Sequence, residues 1–308
     1  MKLPGTSLIA TVYNEAATIR NWLAALAAQS SWPEEFVIVD GASKDDTASI
    51  IASHVWPAGF PVPKVIVQKC NIAGGRNIAI QNCRAEIIAS TDAGSMPDPH
   101  WFEEIVKPLM ERPEIDVVAG ECPTLERNSF QRRMTPYLQR APTVTSENCA
   151  PSSRNTAFRR TAWAGVGGYP EWLTLTAEDS LFNNELRLAG FRFYYQPAAL
   201  VSWENRPDLK SYLKMMYLYG YGSAEARQGL KHYVRYLWTT FVPPLILFTP
   251  HPLADAPLRY ARNAAAAFGW LAGKIKGRKP PAGWKYMGGV WASPEAQAHR
   301  AAVASKAK

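Results

Sequence analysis

The first 120 residues alternate between short apolar, β-branched runs and helical stretches, and this rhythm narrows the possible folds more than any other feature of the chain. Leu8 to Val12, Phe36 to Val39, Val65 to Val67, Ile87 to Ser90 and Val117 to Ala119 read as strands. Helices are predicted between them over 15–28, 46–54, 75–83 and 100–110, with Asp45 or Asp46 as N-cap of the second. The strand segments are apolar at consecutive positions, so both of their faces are buried. That pattern predicts a mostly parallel sheet covered by helices on both sides. Ligands of such sheets bind beyond the carboxyl ends of the strands. Asp40 closes the second strand and Asp92 follows the fourth, so the two carboxylates are expected at one edge of the sheet.

After residue 121 the rhythm breaks. Residues 121–150 are polar and aperiodic and read as a long excursion or helical insert. Residues 156–168 are predicted helical up to the Gly167-Gly168 turn. Glu178-Asp179 opens a helix to about Ala189. Arg192 to Tyr195 and Leu200-Val201 look like strands, and Leu209 to Tyr219 a helix with Asp208 near its N-cap.

Charge is divided unevenly. Residues 1–204 hold 18 Lys/Arg and 22 Asp/Glu, whereas residues 205–308 hold 16 and 4, so the last third carries more than the whole net charge of +8. A near-neutral body with a basic tail argues against a nucleic-acid groove and for a surface that meets something anionic. At 47% hydrophobic and 19% charged residues, general disorder is ruled out. Cys70, Cys83, Cys122 and Cys149 show no CxxC spacing and read as reduced thiols of a cytoplasmic protein. The five histidines are scattered, without metal spacing. The apolar stretch near Leu8 is interrupted by Asn14 and Glu15, so no secretory signal is expected. The nearest approach to a membrane span, Trp238 to Thr249, is short and broken by Pro243-Pro244. Gly74-Gly75 lacks the Lys-Ser/Thr pair of a phosphate-binding Walker loop.

Four stretches carry the chemistry. They are Thr11-Val12-Tyr13-Asn14-Glu15; Val39-Asp40-Gly41-Ala42-Ser43-Lys44-Asp45-Asp46-Thr47; Gly74-Gly75-Arg76-Asn77-Ile78-Ala79 followed by Ser90-Thr91-Asp92-Ala93-Gly94; and Gly167-Gly168-Tyr169-Pro170 followed by Ala177-Glu178-Asp179-Ser180. In this order and spacing, over roughly residues 6–225, the chain resembles family 2 glycosyltransferases of the GT-A fold. It is most similar to succinoglycan-type enzymes that build bacterial surface polysaccharides. The resemblance implies an α/β nucleotide-sugar domain over 1–227, with a donor half to about 120 and an acceptor half after it. A basic, aromatic helical extension would follow over 228–291, then a disordered tail over 292–308.

It also implies roles. Asp40 accepts hydrogen bonds from the nucleotide base, and Thr11, Tyr13, Asn14 and Glu15 wall the base site. A carboxylate can accept a ring N–H only in a half-open cleft, because burial costs it solvation; the plain alternative is an Asp-Gly turn. Arg76 and Asn77 begin a helix where a guanidinium and backbone N–H groups can meet diphosphate or ribose. Thr91, Asp92 and Ala93 belong to the Asp-x-Asp motif, in which Asp92 holds Mg²⁺ or Mn²⁺. Gly94 replaces the second Asp, which weakens the metal site, and Trp203 stands near the position of a later metal-binding His. Asn155 reaches a donor-sugar hydroxyl, while Arg159 and Arg160 read as surface charges. Asp179 is the base that takes the acceptor hydroxyl proton, and Glu178 orients the acceptor; the alternative is acidic residues favoured at a helix start. Tyr169 and Trp172 stack on the acceptor sugar or belong to the core.

The function implied is inverting transfer of a sugar from a nucleotide-diphosphate sugar to a hydroxyl of a glycan or polyprenyl-linked acceptor. The rivals are a non-catalytic nucleotide-sugar binder and a nucleotidyltransferase, the latter disfavoured by Tyr13-Asn14-Glu15. Residues 255–279 mix Phe268, Trp270, Leu271 and Ile275 with Arg259, Arg262, Lys274, Lys276, Arg278 and Lys279. They are expected to lie on an anionic membrane or to pack on the catalytic domain. The chain is then cytoplasmic and peripheral on the inner face of the membrane.

Overall fold

A computed structural model describes residues 1–138, 144–174, 176–242 and 253–306. The donor half is a parallel array. Strand β1 (Lys2–Val12) lies between β2 (Trp32–Asp40) and β4 (Ile87–Ser90), and β3 (Lys64–Val67) is outermost beyond β2. Helices α1 (Ile19–Ala27), α2 (Thr47–Ala52), α3 (Ile72–Gln81) and α4 (Trp101–Glu111) connect the strands. In α1, Ile19, Trp22, Leu23 and Leu26 are buried at helical spacing, each worth about 1.5–3 kcal/mol of apolar burial. Phe36, Ile38, Trp101 and Phe102 join the same core. The opposite face, with Ile9, Val37, Val39 and Ile88, packs against α3 and later helices.

The far half of the sheet departs from the sequence reading. Residues 156–159 are not helical. They form β8 (Thr156–Arg159), antiparallel between β4 and β6 (Val117–Glu121), and only Arg160–Gly165 are helix α6. Four residues are too few for hydrophobic period to separate a buried strand from a helix. The two strands expected near 192–201 are one, β9 (Phe193–Glu204), which pairs with β6, β5 (Ser95–Pro97) and β7 (Thr124–Leu125). The excursion after 121 holds β7 and α5 (Ser129–Met134), whose N-cap Asn128 accepts from the Gln131 N–H at 2.8 Å. Arg159 and Arg160 are not surface charges. The Arg159 guanidinium donates to the carbonyls of Leu109 and Arg112 at the end of α4, and Arg160 donates to those of Cys83 and Ala85.

Behind the sheet come α7 (Glu178–Ala189), α8 (Leu209–Glu225), α9 (Leu230–Phe241), α10 (Ala256–Lys276), the hairpin β10 (Lys285–Met287) and β11 (Val290–Ala292), and α11 (Pro294–Lys306). Residues 292–306 are thus ordered: Ala292 and Ala296 are fully buried, and Ser293 is hydrogen-bonded to Glu185 and Val166. Helix α10 packs along α8, close enough that Gly220 and Gly269 leave no room for a Cβ. Arg259 and Asn263 are buried within this packing. No helix among the described residues is long and apolar enough to cross a membrane. Pro243-Pro244 and the residues to 252 lie outside the described residues.

Candidate active site

The carboxyl ends of β1, β2 and β4 meet at one edge. Val12 pairs with Asp40 and Ile9 with Ser90, so Asp40 and Asp92 flank the end of β1 on either side. Asp40 is buried; its Oδ1 accepts from the Ser43 N–H at 2.8 Å, while its buried Oδ2 has no partner. The loops around it are sewn together by side chains. Asn14 sits at φ +55° and accepts from the Lys44 N–H at 2.8 Å. The N–H groups of Asn14, Glu15 and Ala16 donate to Ser43, Thr47 and Asp45. Tyr13 is half exposed beside Gly41. Burial pushes the Glu15 carboxyl up, opposed by the hydrogen bond from Thr18, with the charge of Asp92 again raising it.

Thr11 lies beneath α3, where Gly75 is required because a Cβ would sit 2.4 Å from the Thr11 methyl. This close approach sinks the next residue, Arg76, into the protein at 2% side-chain exposure. Its guanidinium is a fork: one nitrogen donates to Asp92 Oδ1 at 3.0 Å, the other to Glu178 Oε1 at 2.7 Å. The two carboxylates hold the guanidinium firmly in its charged form, against the opposing effect of burial. Arg76 therefore ties Asp92 to Glu178 instead of facing a diphosphate alone, a tertiary contact with no local signal in the sequence.

Asn77 is fully committed. Its Oδ1 accepts from Trp163 Nε1 and the Tyr169 N–H, and its Nδ2 donates to the Tyr169 carbonyl and to Glu171. Gly168, at φ +88°, lets the 167–169 turn close on this amide. Tyr169 is a core residue, stacked on Phe182 at 4.1 Å. Trp172 packs edge-on against Trp284 of the C-terminal segment. Asn155 is buried, accepting from Trp101 Nε1 and donating to the carbonyls of Glu121 and Ala199. These four side chains hold the walls together and do not face the cleft. Thr91 is likewise buried, and Ala93 packs on the core.

Glu178 and Asp179 are adjacent in sequence but divided in space. They follow Ala177, a non-glycine residue at φ +76°, a conformation that costs energy and recurs at functional sites. Glu178 turns inward, with 11% side-chain exposure, onto Arg76. Burial pushes its carboxyl up, as does the charge of Asp179, against the pull of Arg76. It is not among the side chains that line the cleft of Asp179; its contact is with Arg76. Asp179 lines a cavity of about 820 Å³, bounded also by Gly120 and Glu121 at the end of β6, Arg154, Trp203 of β9, Tyr219 and Ser223 of α8, and Tyr233 of α9. Its Oδ1 accepts from the Ser180 N–H at 2.6 Å. The sequence assigns no role to Arg154, which adjoins Asn155, or to Tyr219 of the segment after the acidic pair; the folding of β8 and α8 onto one cleft brings both here. A second cavity of about 430 Å³, at Glu34, Glu35, Lys64 and Arg84, lies at the opposite edge of the sheet.

For a divalent cation, the site offers Asp92, with the Glu15 carboxylate close to Gly94. Asp92 is 26% exposed, and its contact with Arg76 occupies only part of its acceptor capacity. Among the described residues there is no group of three or more His, Cys, Asp or Glu. Such a donor set suits a hard cation that takes its other oxygens from phosphate and water.

A carboxyl-edge site on this sheet, facing a cleft with a partly exposed carboxylate, defines a GT-A type transferase architecture. Likeness to solved structures agrees. The mannosyltransferase PcManGT from Pyrobaculum calidifontis, in complex with GDP-Man and Mn²⁺, aligns with 98% of this chain and 75% of its own, at a TM-score of 0.54 and 20% identity. S. aureus TarS 1-349 in complex with UDP aligns over 93% and 95%, at 0.51 and 19%. Residues 7–164 match glycosyl transferase family 2, and residues 87–272 match glycosyl transferase family group 2. The chain belongs to glycosyl transferase family 2. Among curated proteins it is 24% identical over 213 residues to the O-antigen chain rhamnosyltransferase WbaN of Salmonella anatum, covering 65% of this chain and 66% of that protein. It is 22% identical over 208 residues to the poly-β-1,6-N-acetyl-D-glucosamine synthase of Staphylococcus aureus (strain COL), covering 65% and 50%. The chain thus spans between half and two-thirds of the length of these relatives.

Proposed function

We propose that this chain transfers a sugar, with inversion, from a nucleoside-diphosphate sugar to a hydroxyl of a glycan or lipid-linked acceptor. The observation that carries this is the Arg76 fork, which joins Asp92 at the strand edge to the Glu178-Asp179 pair at the cleft. The nucleoside lies at the strand edge beside Asp40, whose buried Oδ2 has no protein partner and is left as an acceptor for a base N–H that reaches it. The diphosphate lies towards Asp92. Asp92 would hold a divalent cation, which when bound would supply charge neutralisation for the departing diphosphate. Asp179 takes the proton of the acceptor hydroxyl as that oxygen attacks the anomeric carbon. The bond from that carbon to the diphosphate oxygen breaks in the same step, and the nucleoside diphosphate leaves with the electron pair. Family membership and relatives named as a rhamnosyltransferase and a glucosamine-polymer synthase support this reading.

The test is release of nucleoside diphosphate from a panel of nucleotide sugars in the presence of acceptor glycans. Asp179→Asn should lower turnover by about 10²–10⁴-fold while calorimetry still detects nucleotide. Near wild-type turnover in that variant sinks the base assignment. Nucleotide binding without turnover by the wild type favours the non-catalytic binder.

The same reading includes contact with an anionic membrane, through the 255–279 segment, whose Phe268 and Ile275 are 51% and 80% exposed, and through α9. Leu230, Val234, Trp238 and Phe241 recur along one face of α9, and Trp238 and Phe241 are 60% and 68% exposed. Lys231 and Arg235 lie exposed beside them. An apolar stripe flanked by lysine and arginine is complementary to anionic lipid. Replacing Trp238 and Phe241 by Glu should reduce sedimentation with vesicles containing anionic lipid by about tenfold. Unchanged sedimentation removes α9 from that contact.

A further inference from the structure

Gly94 leaves the motif one carboxylate short, and a cation, Arg154, lines the cleft beside Asp179. Strands β4 and β8 are antiparallel, with Ser90 opposite Thr156. Arg154 lies two residues before the first paired residue of β8 and Asp92 two residues after the last paired residue of β4, so both segments leave this ladder at the same end. The Arg154 guanidinium lies over the Trp203 ring at 4.6 Å, and Trp203 is itself paired with Ser95, three residues after Asp92. Arg154, Trp203 and Asp179 line the same 820 Å³ cavity. Tyr219 reports the same proximity: burial pushes its phenol up, and the charge of Arg154 is the strongest influence pulling it back. Most half-buried cations in this fold have committed partners, as Arg159 and Arg160 do with main-chain carbonyls. Among the described residues, Arg154 has no hydrogen bond and no carboxylate within ion-pair distance, so its donors are unused.

We propose that Arg154, held flat on Trp203, is a diphosphate-binding group of the cleft, supplying from the protein part of the positive charge that a second motif carboxylate would otherwise recruit as metal. The inference rests on the transferase reading and deepens it. A guanidinium presents paired N–H donors that match phosphate oxygens. Stacking on an indole fixes its plane in advance and leaves its edge for the ligand. Arg154 lines the cleft with Asp179, where the acceptor is deprotonated, and leaves the β4–β8 ladder at the same end as Asp92, where the diphosphate lies. The diphosphate is that of the donor or, from the other side of the cleft, that of a polyprenyl-diphosphate-linked acceptor.

Calorimetric titration separates these sources. Wild type, Arg154→Gln and Arg154→Lys are titrated with UDP, GDP and dTDP, with the matching nucleosides, and with a short-chain polyprenyl diphosphate. Each series is run in EDTA and again with Mn²⁺. The expected result is a loss of about tenfold or more in nucleoside-diphosphate affinity for Arg154→Gln. The loss should be larger in EDTA than in Mn²⁺, nucleoside affinity should be unchanged, and Arg154→Lys should retain part of the binding. A loss confined to the polyprenyl diphosphate supports the site with the acceptor as its ligand. Equal affinity of wild type and Arg154→Gln for every diphosphate, with unchanged melting temperatures, overturns the inference and leaves the transferase reading standing. Failure of the wild type to bind any nucleoside diphosphate overturns that reading and this inference with it.

Discussion

On the Asp40 side of the cleft, side chains hold backbone. Lys44, Asn14, Glu15 and Ala16 give their N–H groups to side-chain oxygens of the neighbouring loop, and Ser43 gives its own to Asp40. On the Asp179 side, side chains stand out from the backbone into open space: Arg154, Trp203, Tyr219 and Asp179 line the cavity, with few bonds to each other. The first side is shaped before any ligand arrives, as suits a constant part such as a nucleoside. The second is furnished with charge and aromatic surface, as suits a sugar, a diphosphate and an acceptor that must enter and leave. Preorganised donors and acceptors reduce the ordering cost of binding, whereas a transfer centre needs groups that change partners during the reaction.

Arg76 joins the two sides, and removing it should break the comparison most severely. Arg76→Met leaves Glu178 as a buried carboxylate without its partner and unties Asp92, at a cost of about 3–5 kcal/mol in urea unfolding. A smaller loss, with retained turnover, shows that the two sides do not depend on the fork. Asp40→Asn probes the preorganised side alone. Asn retains an acceptor for the Ser43 N–H but not the charge, so nucleotide affinity should fall about tenfold with little change in melting temperature. An equal loss of stability assigns Asp40 to the turn alone.

The smallest effect concerns what supports the Asp179 side from behind. Glu185 of α7 is buried and accepts from the Ser293 N–H at 2.7 Å, with its Oε2 unpartnered. Burial pushes its carboxyl up to about 8. Between about 4.3, the ordinary value, and about 8 the unfolded chain loses this proton and the folded chain keeps it. Its contribution to stability is therefore fully present at acid pH and is lost as pH rises through that window, with a slope up to about 1.4 kcal/mol per unit. Glu185→Gln should flatten the fall measured by chemical denaturation between pH 5 and 8, a window inside the range about 4.3 to about 8. An unaltered slope places the titration elsewhere.

The strand–helix rhythm up to residue 120 was legible because each strand is short, apolar on both faces and bounded by turns; β1, β2 and β4 fall where the pattern put them, apart from extensions at their starts. Asp40 and Asp92 were legible as edge residues for the same reason. The antiparallel β8 was not, since four buried residues carry no period and their pairing is with strands about 40 and 70 residues earlier. Asn155, Tyr169 and Trp172 could be read either as ligand contacts or as core. Only their hydrogen bonds and ring packing show that they brace the walls. The basic extension divides in a related way: α10 packs its small residues closely on α8 yet leaves Phe268 and Ile275 exposed, and α9 keeps Trp238 and Phe241 in solvent.

By itself, the sequence determined the sheet, the family and the two strand-edge aspartates, because these follow from local periodicity and from motifs in a fixed order. The tertiary structure decided which polar side chains face the cleft. Arg76 lies two residues from Gly74, yet the close approach of Gly75 to Thr11 sinks it onto two carboxylates. Arg154 has an unremarkable local sequence, yet the fold brings it over the Trp203 ring and into the cleft of Asp179. Burial and partnership are set by contacts distant in sequence, and those two quantities separate a buried clamp from a charge available to a ligand.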